Sequence, residues 1–578
     1  MDPRNPKQLA RLTRAIERSR EKLGTYRKKR YETIQQYVGY QYSDDGTKEP
    51  VPINIIEMAV SIYTANLSGG EPKARVTTPI QSLKRTAFDL QLDVNHVSKA
   101  CGFKRTLQYV VREALYGPGV VKIGIAASKN GGEYDPGEVF VDLVDGDDWV
   151  QDMTVRMYEH GLFAGHKMPM VRADLVADPE VDQEVLAKIK SSERSPFEDG
   201  EDRVESIGAG GESTEEDFID ESVWVWNIWL RRENVIVMVP ADVNGKPEAK
   251  LLKVTPYVGP ESGPFELTCF NPVPGNVMPL PPLAVLRDLH DIINIIYNKL
   301  GRQGVRQKNI TVVDDSLVKD GERQIDAADG EAVRGNAKAV TSVNMGGADE
   351  RNMALGIHFI DRANAAGGNL AALGGLEPSS DTLGQERIIK ASASQRINAM
   401  QGVVADFVAA VQKQIAFYEF SNPLLNRTLY RKIPGTNVTI PVQLTQARLT
   451  GEFLDFNFEM AAYTNKARTP ADQLEAVSAI FNQYVVPYLG PMAEQQIAVD
   501  FGGLLRTVGD LADVDVDDFI QFGVPSSVPT QEMRGQDPRA AIPRQPTPPR
   551  PPAPRRPDPN RMIQDLMSRP QPQMAGVS

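Results

Sequence analysis

The chain runs to 578 residues, 41% hydrophobic and 24% charged, which is the balance of an ordinary soluble protein and enough length for three or four packed units. Its net charge of −12 argues against gripping DNA by phosphate neutralisation, the work of a basic patch, although an acidic protein can still enclose DNA. Only Cys101 and Cys269 occur, which excludes a disulfide framework and points to a reducing compartment.

The first 30 residues hold eleven Lys/Arg and three acids with no apolar stretch, so they do not form a secretory signal. They open a basic amphipathic helix over the first forty residues, either a solvated helix with one apolar stripe or an arm that contacts phosphate. A second helix is expected within 53–79, stopped by Gly69, Gly70 and Pro72. In 101–125, Leu107, Val110, Val111, Ala114 and Leu115 share one helical face, and Gly117, Pro118 and Gly119 end it before a β-rich run.

Asp142, Asp145, Asp147, Asp148 and Asp152 crowd into 141–152, without the frame and distal Glu of a calcium loop. Turn formation by Asp and Gly accounts for them. Residues 176–221 read as an acidic surface insertion, partly disordered; 193–221 alone carry twelve acids and two bases. "SVWVWNIWLRRENVIVMVP" (222–240) reads as a hairpin with core tryptophans. Its apolar run is cut by Arg231 and Arg232, and no stretch of about 18 apolar residues exists to span a membrane.

Prolines 279, 281 and 282 start a helix in 278–308. Leu286, Leu289, Ile293, Ile296 and Leu300 run down one side, and Ile292, Ile295 and Tyr297 widen the apolar face, as in a helix sandwiched between neighbours. Two short β-like segments, "NITVVDDSL" and "KAVTSVNM", flank an acidic stretch, and a weaker helix follows at 353–375. The strongest periodicity comes next: Ile389, Ala393, Ile397, Met400, Val404, Phe407, Val411, Ile415 and Tyr418 step by threes and fours. Thr382 and Gln385 make a capping box and Asn422-Pro423 a stop, so 383–420 forms a spine helix about 57 Å long. "FLDFNFEM" (453–460) alternates as a half-buried strand, helices are expected at 469–486 and 491–510, and the Pro/Arg-rich tail from 525 cannot bury a core. The fold class is α+β, predominantly helical.

No chemistry stands out. His160 and His166 lack zinc spacing, Ser316 with Lys319 matches S-x-x-K by four letters only, and no G-x-S-x-G or H-E-x-x-H occurs. "GGLEPSSDTLGQE" (374–386) has the glycines and hydroxyls of a phosphate loop but no lysine, and puts Glu377 and Asp381 where cations belong. The chain therefore reads as no enzyme, with no cofactor or metal.

The order of features resembles a portal protein of a tailed bacteriophage, the head–tail connector. The similar series runs from the basic N-terminal helix through "NIIEMAVSIYTANLSGGEPKARVTTP", "REALYGPGVVKIG", the proline-led helix, the β excursion, the Gly-rich loop and the long helix to "FNFEMAAYTNKARTPADQLEAV". It covers roughly 30–490; the acidic insertion and the tail depart from it. The resemblance implies a wing at 1–280, stem helices at 281–308 and 349–371, a clip at 309–348, a tunnel loop at 372–382, a wing return at 383–465, a crown at 466–524 and the tail 525–578. It further implies a ring, dodecameric in the virion, assembled in the host cytoplasm at the capsid vertex. The ring would be a channel for double-stranded DNA in packaging, retention and ejection.

The clip, with Asp314, Asp315, Lys319, Asp320, Glu322 and Arg323, would meet the terminase large subunit and later head–tail adaptor or tail proteins. Major capsid and scaffolding proteins would surround it, and no membrane is involved. Gly374, Gly375, Leu376, Glu377, Ser379, Ser380, Asp381 and Thr382 would form the tunnel loop. There acidic groups repel phosphate and hydroxyls offer weak, exchangeable hydrogen bonds. The alternatives are another ring-forming virion protein such as a head–tail adaptor, or a nucleic-acid-processing enzyme.

Overall fold

In a computed structural model the described residues are 2–39, 53–127, 137–189, 221–328 except 243–244, most of 332–345, 347–374, 383–432, 439–461 and 487. Of these residues helix takes 52% and strand 21%, a mixed α+β fold. Among the described residues no helix is long and apolar enough to cross a membrane. The crown segment, the tail, and all of the acidic segment beyond residue 189 except Glu221 lie outside these residues.

Helix α1 (Pro6–Val38) starts with proline in its first turn and Asn5 capping the Lys7 N–H, and stops at Gly39 (φ 62°). Its apolar stripe does not face water. Leu9, Leu12 and Ile16 are buried against one face of a five-stranded antiparallel sheet, beside Phe163, Trp226, Ile228 and Val239. That sheet is ordered β4 (Trp149–Gln151), β5 (Phe163–Val171), β6 (Ser222–Leu230), β7 (Val235–Pro240), β8 (Lys253–Pro256). β6 and β7 are the expected hairpin. Trp226 and Trp229 project to opposite faces of the sheet, each 1% exposed, and both belong to cores, as alternation demands.

The start of the acidic segment is built into the fold. Helices α5 (Arg172–Ala177) and α6 (Gln183–Ala187), with the residues that flank α6, bury Leu175, Val181, Leu186 and Ile189 against Val223 and Val225 of the sheet. Up to residue 189 it is thus a packed satellite. Its few apolar residues are enough because they gather on one patch of the sheet face, with Met168, Met170 and Met238 beside them.

The main core collects α2 (Ile55–Ser68), α3 (Lys84–Ala100) and α4 (Phe103–Tyr116) around the long helix. The α4 face is as the periodicity predicts: Leu107, Val110, Val111, Ala114 and Leu115 are all buried. Gly119, at the turn into β2 (Gly119–Ala126), is required by space, because a Cβ there would meet the Val110 carbonyl oxygen at 2.5 Å. β2 lies between β3 (Glu138–Val144) and β9 (Phe265–Thr268). Helix α7 (Pro282–Arg306) runs into β10 (Lys308–Val313), which pairs antiparallel with β11 (Val340–Met345); α8 (Val318–Asp326) lies between those strands, where the sequence reads only as an acidic stretch. β11 leads to α9 (Glu350–Ala366) and the short α10 (Leu370–Gly374).

Helix α11 (Leu383–Ser421) spans 39 residues and is the spine that its spacing predicts. Ile397, Met400, Val404, Phe407, Val411, Ile415 and Tyr418 are buried. The side chains of Ile389 and Ala393, and the Thr382–Gln385 cap, fall outside the described residues. Beyond it, β12 (Asn426–Lys432) and β13 (Thr439–Thr445) form a hairpin that no pattern announces. The segment 453–460 is only partly strand. Phe453–Asp455 is a 3₁₀ turn with Glu452 and Asp455 capping each other, and β14 (Asn457–Met460) then pairs with β1 (Ala74–Thr77), so chain positions nearly 400 apart share one ladder.

Candidate functional site

Two places carry the residues that the sequence singles out: an arm made of α7, the β10–β11 hairpin and α9, and the base of the loop that follows α10. The arm is built by helix pairing. Asp349 N–H donates to Gln303 Oε1 at 3.2 Å, while further down Gly356 lies against Tyr297, so the two helices run in opposite directions. A Cβ on Gly356 would stand 3.1 Å from the Tyr297 ring, so the close approach depends on the missing side chain.

One side of α7 is fixed to the core. Leu286, His290 and Ile293 are buried, and Asn294 clamps the start of α2 by accepting from the Ile53 N–H and donating to the Ile53 carbonyl, both at 3.1 Å. Burial pushes the His290 imidazole down to about 4, so it stays neutral there.

The other side of α7 is open. Val285, Ile292 and Ile295 are 44%, 38% and 64% exposed and share one helical stripe. The expectation that the widened apolar face is sandwiched therefore fails within one chain: Tyr297 packs on α9, whereas Ile292 and Ile295 face outward. Met353 and Ile357 on α9 are also exposed, one turn apart. Helical periodicity counts apolar positions but does not say whether the cover comes from the same chain.

At the tip of the arm the six sequence-selected residues divide by role. Asp314 caps the turn after β10 by accepting from the Ser316 N–H at 2.9 Å and its hydroxyl at 2.6 Å, and these bonds hold its carboxyl below the usual range. Asp320 accepts from the Asn336 N–H at 3.2 Å, and Gln324 donates to the Asn336 carbonyl at 2.7 Å, which ties α8 to the return segment. Asp315, Lys319, Glu322 and Arg323 are exposed and lie beside the exposed apolar Val318 and Ile325. The tip thus offers mixed charge around a small apolar patch, a surface suited to binding protein rather than phosphate.

Of the loop residues, Gly374 closes α10, while Gly375, Leu376, Glu377, Ser379, Ser380, Asp381 and Thr382 lie outside the described residues. The base of the loop is anchored. Tyr63 donates to the Gly367 carbonyl at 2.6 Å, Arg396 donates to the Ala366 carbonyl, and Asn364 accepts from the Ala371 N–H at 2.8 Å. Asn369 (φ 62°) and Gly368 (φ 81°) make the sharp corner between α9 and α10. The loop therefore starts from a base fixed to both α2 and α11. Tyr63 and Arg396 were missed from sequence because their partners sit about 300 and 30 positions away.

The aspartate cluster is structural. Asp145 and Asp147 face Arg30, Asp148 lies 3.7 Å from Lys167, and Asp152 accepts from Thr154 and from the Leu162 N–H. Among the described residues no group of His, Cys, Asp or Glu is placed to hold a metal ion. No protein-family model matches the sequence, and no curated protein matches it closely enough to count as a relative.

Proposed function

We propose that the chain is a subunit of a phage portal ring, a passive channel through which double-stranded DNA enters and leaves a capsid. The observation that carries this reading is the apolar stripe Val285, Ile292 and Ile295 on α7, left in water although the opposite side of the same helix is locked to the core. Copies arranged around an axis would cover it, each placing its α7–α9 pair beside the next.

The reading accounts for three further features. The paired helices would be the stem, and the β10–β11 excursion with α8 would be the clip, its exposed Asp315, Lys319, Glu322 and Arg323 meeting the packaging ATPase and later the tail adaptors. The loop after Gly374 would face the channel from its anchored base. Glu377 and Asp381 there would keep phosphate from sticking, and a ring of subunits each of net charge −12 would disfavour collapse onto DNA. The wing would be 1–280 with a return at 383–465, and the crown 466–524. In this reading the chain has no catalysis of its own and the motor is a separate protein.

Negative-stain microscopy and native mass spectrometry of the purified chain test it. Rings with a central hole and near twelve-fold symmetry are expected, without ATPase or nuclease turnover. A clean monomer across salt and protein concentrations would refute it.

A further inference from the structure

Helix α1 has an outward face that neither the arm nor the loop uses. Lys7, Arg11, Arg14, Arg18 and Lys22 recur every three or four positions, so they form one row about 22 Å long. All five are exposed, and none makes an ion pair among the described residues. The stripe Leu9, Leu12 and Ile16, which seats the helix on the sheet, points the other way. Like charges three or four positions apart on a helix repel, and the row contains four such pairs in succession. The acids of α1 offer little relief. Glu17 reaches Lys246 at 3.3 Å and Glu32 reaches Arg287 at 2.9 Å, which leaves Glu21 as the one exposed acid of the helix.

A counter-charge lies in the same chain. Residues 193–221 carry twelve acids and two bases, with dense runs "EDGED" at 198–202 and "ESTEED" at 212–217. Both ends of this segment are fixed to the sheet that carries α1. Ile189 packs beside Val223 and Val225, and the Arg172 N–H donates to the Glu221 carbonyl at 2.8 Å. Those valines alternate along β6 with Trp226, on which α1 packs, so Ile189 lies on the opposite face of the sheet. Between Ile189 and Glu221 there are 31 residues, and half of them extended reach roughly 50 Å. Layers packed on a sheet lie only about 10 Å from it, so the segment is long enough to pass the end of the sheet and follow the row.

We propose that the acidic segment 198–217 docks along this row of its own chain, its carboxylates between Lys7, Arg11, Arg14, Arg18 and Lys22. Nine acids in that span face five cations, so every repelling pair of the row gains a counter-charge. Attachment at both ends holds these acids at a high effective concentration, and a free polyanion must displace them to reach the row. Duplex DNA competes at a further disadvantage against a chain of net charge −12. The inference is independent of the channel reading.

The test uses the full-length protein in two arms. Carbodiimide joins a lysine amine to a carboxylate that it touches. Applied at low salt to mixed isotopically light and heavy chains, it should link Lys7 and Lys22 to peptides from 198–217 within one chain. High salt should suppress these products. In the second arm, a variant with the nine acids of 198–217 changed to Gln or Asn should bind a short DNA duplex at least tenfold more tightly than the wild type. Adding Arg11→Glu, Arg14→Glu and Arg18→Glu should abolish that gain. Lys84→Glu, Lys99→Glu and Lys104→Glu make the same charge change at exposed positions of α3 and α4 and should leave most of it. Thermal melts check that each variant folds. The proposal is overturned if these crosslinks are absent or run only between chains. It is equally overturned if the neutralised variant binds DNA no more tightly than the wild type, whether both leave the row to solvent or both hold DNA on it. A gain in DNA binding that survives reversal of the row also overturns it.

Discussion

Arg30, near the end of α1, places its guanidinium 2.5 Å from the Glu113 carboxylate of α4, 83 positions along the chain. Its other arm reaches Asp147 at 2.8 Å, in the turn before β4, and its side chain is 4% exposed. Burial disfavours the charge, but Glu113, Asp147 and Asp145 outweigh it and hold the guanidinium firmly protonated. Neighbouring basic residues of α1 are also engaged inward: Arg27 donates to the Trp149 carbonyl at 2.7 Å, and Arg20 lies over the Trp226 ring. Much of the basic helix is thus a clamp between the five-stranded sheet and the main core rather than an arm for phosphate.

Removing that clamp should be costly. Arg30→Ala leaves Glu113 and Asp147 facing one another without a counter-charge, and a broken buried pair typically costs roughly 3–5 kcal/mol. Urea unfolding followed by tryptophan fluorescence should show that loss. Arg30→Lys should recover part of it, because a single ammonium cannot reach both carboxylates as the planar fork does. A loss under 1 kcal/mol for Arg30→Ala would show that the cluster is solvated.

A second buried cluster sets a pH dependence. Arg427 of β12 faces Asp93 of α3 at 2.7 Å and Glu419 of α11 at 3.4 Å, one cation for two buried carboxylates. His96 is the other titratable group nearby. Burial and then Asp93 push the Glu419 carboxyl up to about 7, with Arg427 opposing. In the unfolded chain it titrates near about 4.3. Between those values the folded state holds a proton that the unfolded state has released, so this contribution is complete below about pH 4.3 and is lost as pH rises through about 7. Glu419→Gln should therefore match the wild type near pH 4 and exceed it by roughly 2–4 kcal/mol at pH 8. Chemical denaturation at the two pH values reads the difference, and parallel curves would place Glu419 in solvent.

What was legible in the sequence follows from how local each signal is. The α4 face and the α11 spine obey a period set by their own residues, and Pro282 in the first turn of α7 marks its start without help from the rest of the chain. The stripe Leu83, Ala87, Leu90, Val94 and Val97 marks α3 by the same rule. The β12–β13 hairpin carries charged residues and Pro441 in its strands, so its alternation is weak, and it is held by Leu425, Leu429, Leu444 and Leu449 packing beside Leu92. Arg30 with Glu113, and Tyr63 with Gly367, are pairs that only tertiary folding creates. At the tip, sequence marks charge but cannot separate Asp314 and Asp320, which are spent on local turns, from Asp315 and Glu322, which remain outward.

The open stripe on α7 gives an assembly prediction. Ile292→Glu with Ile295→Glu places charge where a neighbouring copy is proposed to pack, while both positions are exposed in the single chain. The double variant should stay folded, with a near-normal circular dichroism spectrum, yet elute as monomer where the wild type is expected to form rings. Light scattering after size exclusion measures this. Rings of normal size would mean that the stripe is not the contact between copies.

The loop 375–382 should matter for DNA movement and little for folding. Its base is held by Tyr63 on the Gly367 carbonyl and by Arg396 on the Ala366 carbonyl, contacts that do not involve the loop itself. Replacing Leu376–Asp381 with a short Gly-Ser linker should therefore give rings with a melting temperature close to wild type. Particles built with those rings should package or retain genome poorly, because the proposed channel contact has been altered. Glu377→Lys with Asp381→Lys acts in the opposite sense: each subunit gains attraction for phosphate, so translocation should slow, and added salt should relieve the effect by screening. Packaged genome length per particle, measured beside ring melting, separates the two variants from a folding defect. If both variants pack full-length genome at the wild-type rate, the loop does not face the channel, and the assignment of α7 and α9 to its wall falls with it.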